Sequence, residues 1–131
     1  MTNYREHASE WFAIADDDLA YANVGLKEDD FYSLIAFHAQ QAAEKYLKGF
    51  LVLHGIKPLY SHDLSILIKE CAKLDPTFTE IASEADILSP FAVDIRYPVY
   101  YSSISSAQAN KAVSCAEVVK IFIRERANKK A

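Results

Sequence analysis

The chain has little of the punctuation that irregular or fibrous architectures need. Three Gly and four Pro in 131 residues exclude a collagen-like or low-complexity disordered protein. Two cysteines, Cys71 and Cys115, form no CxxC pair. That excludes a disulfide scaffold, and two reduced, buried thiols are expected. No apolar run approaches the ~18 residues of a membrane span. The N-terminal MTNYREHASEW lacks the apolar core of a signal peptide. The expectation is a cytoplasmic protein without membrane association. His7, His38, His54 and His62 show no metal-ligand spacing, and no His follows a Glu by three as bundle di-iron sites require. No metal and no cofactor are expected. A glycine-rich phosphate loop is also missing, so any phosphate must be held by side chains.

What is present is helix-forming and apolar. Hydrophobic residues make up 51% of the chain, and one domain, residues 1–131, can bury roughly two thirds of its unfolded surface. The stretch 31–55, FYSLIAFHAQQAAEKYLKGFLVLHG, has no Pro and no Gly before Gly49. Read as a helix, it places Ala39, Ala43, Tyr46, Phe50 and Leu53 in one broad stripe, and Leu47 and Leu51 widen it. Such a helix sits at the centre of a bundle. His38, Gln41, Lys45 and Lys48, spaced three, four and three apart, share its polar face. Three of them are donors suited to an anion. The strip is either a solvated face or a groove for phosphate or a partner chain.

Four further helices are expected around it. The first runs from Tyr4 to Val24, capped by Asn3 with Glu6 and stopped by Gly25. Its buried stripe is Tyr4, Ala8, Trp11, Ala15, Leu19, Ala22 and Leu26, with Asp16 and Asp17 in solvent. Asp29 and Asp30 cap the central helix, which ends at Gly55. A third helix, from Asp63 to Leu74, has Asp63 as its cap. A fourth begins at Asp75-Pro76-Thr77, with Thr77 and Glu80 as a capping box, and Pro90 ends it. FAVDIRYPVYY, residues 91–101, reads as a connection packed on the bundle, since no second strand is present to pair with it. Arg96 stands there among apolar and aromatic neighbours and either pairs with Asp94 or binds an anion. The last helix starts near Ser105, with Gln108 completing a capping box. The fold class is therefore all-α, an up-and-down bundle of four to five helices.

Charge is unevenly spread. Residues 1–35 carry two basic and eight acidic side chains, a balance of −6, whereas residues 111–131 carry six basic and two acidic, a balance of +4. The acidic total argues against a general nucleic-acid coat but leaves room for a local basic groove. The terminal basic residues suit a helix C-terminus.

The run FHAQQAAEKYLKGFLVLHGIKP, followed by SHDLSILIKEC, DIRYP and a final helix, resembles the HEPN domain family (higher eukaryotes and prokaryotes nucleotide-binding) from about Trp11 to Arg124. The resemblance implies a homodimeric helical bundle. It also implies either partnership with a minimal nucleotidyltransferase in a toxin–antitoxin-like module, or a metal-independent ribonuclease. The ribonucleases of the family carry an Arg followed four to six residues later by His, to serve the ribose hydroxyl and the scissile phosphate. Here Arg96 is followed by Tyr101, Ser102 and Ser103, and no His occurs after His62. A phenol with a pKa near ~10 is a poor base at neutral pH. The expectation is a protein with no catalytic residues, binding a nucleotide or nucleic-acid phosphate through His38, Gln41, Lys45, Lys48, His62 and Arg96. A ribonuclease with a rearranged site and a pure interaction module are the alternatives.

Overall fold

The computed structural model describes residues 3–28, 31–58, 60–92 and 103–129. Asp29, Asp30 and Arg96, with the rest of the DIRYP segment, lie outside the described residues. Within them the chain forms five α-helices and no strand: α1 (Tyr4–Glu28), α2 (Tyr32–Leu53), α3 (Leu64–Leu74), α4 (Ala82–Leu88) and α5 (Ser106–Lys129). A 3-10 turn, Pro76–Ile81, precedes α4, and a second, Ser89–Phe91, follows it.

α2 is the centre of the bundle, as its apolar circumference requires. It packs against α1, α5, α3 and α4. Ala39, Ala43, Tyr46, Leu47, Phe50, Leu51 and Leu53 are all buried. α1 runs antiparallel to it, with neighbouring positions stepping from Gly25 and Ile35, through Phe12 and Gly49, to Tyr4 and Gly55. The expected stop at Gly25 does not occur. The helix continues to Glu28, and Ile35 fills the space where a Cβ would stand, 2.6 Å away. A helical Gly costs only about 1 kcal/mol, which this packing offsets. The α1 stripe also needs correction. Phe12 is buried and Trp11 half-buried, while Tyr4 is 45% exposed.

The far side of α2 is closed by an aromatic ladder. The Phe50 and Phe78 centroids lie 4.6 Å apart, and Phe78 meets Phe122 edge-on at 4.9 Å. Phe78 is fully buried, so the 3-10 turn that carries it ties α2 to α5. Pairs of this kind contribute about 0.5–1.5 kcal/mol beyond area burial. Cys71 and Cys115 are buried free thiols. Burial pushes the Cys71 thiol up to about 12.

The helix ends follow local chemistry, with two departures from expectation. Asp63 caps α3 by accepting from the Ser65 N–H at 2.9 Å. Ser105 and Gln108 form the reciprocal box at α5, at 2.8 and 3.1 Å. The Thr77–Glu80 box is replaced by Asp75, which accepts from both the N–H and the hydroxyl of Thr77, at 3.0 and 2.7 Å. An Asp two residues upstream reaches the backbone more directly than a Glu three residues downstream. At α2 the N-cap position is Phe31, with φ 57° and no side-chain cap. The α2 C-terminus closes as a Schellman turn: Gly55 N–H donates to Val52 O, and Ile56 N–H to Leu51 O, both at 2.9 Å. Gly55 takes φ +76°.

Candidate functional site

The polar face of α2 consists of two ion-paired clusters, each built on a carboxylate. Asp18, on the flank of α1 that faces the strip, accepts from Nδ1 of His38 at 2.9 Å and from Nζ of Lys45 at 2.6 Å. The His38 ring lies against Tyr21, with centroids 4.4 Å apart. His38 and Lys45 therefore act as braces between α1 and α2.

The second cluster centres on Glu44, whose side chain is 5% exposed. It accepts from Lys48 Nζ at 3.1 Å and from His62 Nδ1 at 2.9 Å. Gln40 Nε2 donates to it at 3.4 Å and to the His62 carbonyl at 3.3 Å. Gln41 donates to Gln40 Oε1 at 2.8 Å. A buried carboxylate is tolerated only when paired and hydrogen-bonded, and this network supplies both. It fixes the His62 ring, which is 70% exposed, with Nδ1 held and Nε2 outward.

Of the six residues singled out from the sequence, Lys48 and His62 converge on Glu44, with Gln41 joined to them through Gln40. His38 and Lys45 converge on Asp18. Arg96 is outside the described residues. Asp18 and Glu44 were missed. Asp18 meets its partners 20 and 27 residues away, and Glu44 meets His62 18 residues away, so spacing along the chain carries no sign of these contacts. Glu44 did leave signals of its own: Lys48 follows it at i, i+4, and with Gln40, Leu47 and Leu51 it falls on a largely apolar face of α2.

Asp16, expected in solvent, is 37% exposed and is held on the other flank of α1. It accepts from Arg124 at 2.5 Å and from the Tyr46 hydroxyl. Burial, and then this bond to Asp16, raise the Tyr46 phenol above its ordinary value. Arg126 reaches Asp75 at 3.4 Å and lies 3.3 Å from the Phe122 ring centroid. Two of the terminal basic residues are thus engaged with the body of the fold.

One end of the strip opens into a groove between the start of α1 and the turn after α2. A cavity of about 190 Å³ is lined by Trp11, Lys48, Lys57, Pro58 and Tyr60. It adjoins a larger one, of about 460 Å³, which shares Trp11, Lys57 and Pro58 with it. Tyr4, His7 and Glu10 line the larger cavity. With Trp11 they stand at i, i+3, i+6 and i+7 of α1, on one face. Gly55 forms part of the floor. A Cβ there would lie 3.0 Å from the Tyr4 ring. Among the described residues no cluster of His, Cys, Asp or Glu could hold a metal ion, and no helix is long and apolar enough to cross a membrane.

Comparison with known proteins fits this architecture. The model of the HEPN domain matches residues 8–126. The fold is similar to that of TT1696 from Thermus thermophilus, with a TM-score of 0.80 and 24% identity over 90% of this chain and 96% of that one. It is also similar to ST0689, an archaeal HEPN homologue, with a TM-score of 0.74 and 27% identity over 92% of this chain and 97% of that one. No curated protein matches the chain.

Proposed function

The chain belongs to the HEPN domain family, and on that footing we propose that it is a non-catalytic, homodimeric binder of nucleotide or nucleic-acid phosphate that works with a minimal nucleotidyltransferase. The observation that carries the reading is the position of Lys48. Its ammonium rests on the buried Glu44, and the same side chain lines the small cavity together with Lys57. Two cations at one cavity suit an anion, and His62 stands beside the same carboxylate through Nδ1. The missing His after Arg96 speaks for binding rather than strand cleavage. Two copies about a two-fold axis would set two polar strips side by side and deepen a groove that one small domain leaves shallow.

The test is equilibrium dialysis with AMP and with a short single-stranded RNA at two salt concentrations, alongside light scattering for mass. Binding should weaken as salt rises. Lys57→Gln, at an exposed position lining the same cavity, should weaken binding while the melting temperature changes little. Lys48→Gln should weaken binding and also lower the melting temperature, because it leaves the buried Glu44 without its lysine. RNA incubated with the protein in chelator should stay intact. Cleavage that vanishes in Arg96→Ala would overturn the non-catalytic assignment, and a monomeric mass would remove the shared groove.

A further inference from the structure

The two halves of the polar surface differ in what their side chains already do. On the α2 strip every donor has an internal acceptor: Asp18 for His38 and Lys45, Glu44 for Lys48 and His62, Gln40 for Gln41. In the adjoining groove the side chains of His7, Glu10 and Lys57 have no ion-pair or hydrogen-bond partner among the described residues, and neither does the Trp11 indole N–H. Five chemically different groups, counting the Tyr4 ring, thus face one cavity with their recognition capacity unspent.

The cavity has the size of a small-molecule site. Its volume of about 460 Å³ falls within the ~300–1,000 Å³ that such sites occupy. Its walls differ in character from end to end. Trp11 and Tyr4 offer aromatic surface, and Pro58 adds an apolar edge. Lys57 lines both cavities, and Lys48 lines the smaller one beside it. Glu10, with His7 one turn before it, provides an acceptor on the α1 side. A simple anion has no use for the aromatic wall or the carboxylate, and a purely apolar ligand has none for the lysines.

We propose that this groove is the nucleoside-binding part of the site, taking a nucleoside monophosphate whose base carries an amino group. The base stacks on Trp11, as bases do on exposed aromatic rings. The Glu10 carboxylate accepts from the amino edge of guanine, adenine or cytosine, a pairing that uracil cannot make. The phosphate lies between Lys57 and Lys48. This rests on the phosphate-binding reading above and deepens it by stating where the rest of the ligand goes. The fold prepares the site through the Schellman turn. Left-handed Gly55 sends Ile56, Lys57 and Pro58 back over the first turns of α1, and its missing Cβ leaves the Tyr4 ring its place.

The sequence supplies its own probe, because Trp11 is the only tryptophan. GMP, AMP, UMP and ribose 5-phosphate are titrated into the intact protein, with Trp11 emission and equilibrium dialysis read in parallel. GMP and AMP should quench the emission saturably and bind at least tenfold more tightly than UMP. Ribose 5-phosphate should bind weakly without quenching. Lys57→Glu, at an exposed turn position, should weaken GMP at least tenfold with an unchanged circular dichroism spectrum. Glu10→Gln should narrow the gap between GMP and UMP. If dialysis shows GMP bound but Trp11 emission is unmoved, and Lys57→Glu binds as the parent does while Lys48→Gln does not, the groove assignment is wrong and the phosphate reading stands. If ribose 5-phosphate binds as tightly as GMP, the site is for phosphate alone and the groove assignment again fails. If dialysis finds no binding of any of the four, the groove assignment falls, and the phosphate reading falls with it when the single-stranded RNA is not bound either.

Discussion

The Glu44 carboxylate and the His62 imidazole meet at 2.9 Å across a steep gradient of exposure, with the acid 5% and the ring 70% exposed. The consequences of removing either partner are therefore unequal. Glu44→Ala strands Lys48 and Gln40 in the interior, and breaking a buried pair from one side costs about 3–5 kcal/mol. His62→Ala leaves Glu44 two partners and should cost under about 1 kcal/mol. Urea denaturation midpoints compare the two, and equal losses would show that Glu44 is not the hub.

Gly55→Ala tests the turn that shapes the groove. An L-residue held at φ +76° costs roughly 1–2 kcal/mol, and the new methyl presses on Tyr4. The expected outcome is a lower urea midpoint with an unchanged m-value. Gly55→Asn should lose less, since Asn tolerates this backbone region. A neutral Gly55→Ala would show that the turn relaxes without it.

Acid should loosen the helix caps. The Ser65 hydroxyl and N–H hold Asp63 below the ordinary carboxylate value of 3.8, and the Thr77 hydroxyl does the same for Asp75. A carboxylate with a depressed folded-state pKa stabilises the fold above its unfolded value, and that share is lost as pH falls through the folded value. The melting temperature should thus hold from pH 7 to about pH 5 and fall below about pH 4. Asp75→Asn keeps a cap but does not titrate, so its acid slope should be shallower. An unchanged slope would place the acid response elsewhere.

Alkali should act through the core. Burial raises Cys71 from 9.0 to about 12, and Tyr46 is raised by burial and by Asp16. Groups with raised folded-state pKa values contribute fully below their unfolded values, and that share is lost as pH rises through the folded ones. Stability should decline from pH 9.0 toward 12, less steeply in Cys71→Ala. A thiol reagent at pH 8 should modify Cys71 only on unfolding. Ready reaction of the native protein at Cys71 would contradict its burial.

The fold was legible where its causes are local or periodic. The α2 stripe from Ala39 to Leu53, the Asp63 cap and the Ser105–Gln108 box all follow from spacing of a few residues, and the structure has them. Gly25 misled because a helical glycine is decided by what packs beside it, here Ile35. The candidate site was legible only in part. The strip of His38, Gln41, Lys45 and Lys48 was visible as a face, but the carboxylates that divide it come from another helix and from a buried position. Trp11 read as core from its period. Its half-exposed place in a cavity with Lys57 arises only when the turn after α2 folds back on α1.

Asp16 and Asp18 leave α1 about 200° apart around its axis. One is held by Tyr46 and Arg124, the other by His38 and Lys45. α1 is thereby fixed against rolling. A rotation by one residue, ~100°, would carry both carboxylates away from their cations and present different side chains to α2. The buried Phe12 and Leu19 oppose such a roll from the apolar side, and the paired acids oppose it from both flanks. Together they hold the single orientation that faces Trp11, His7 and Glu10 toward the same opening.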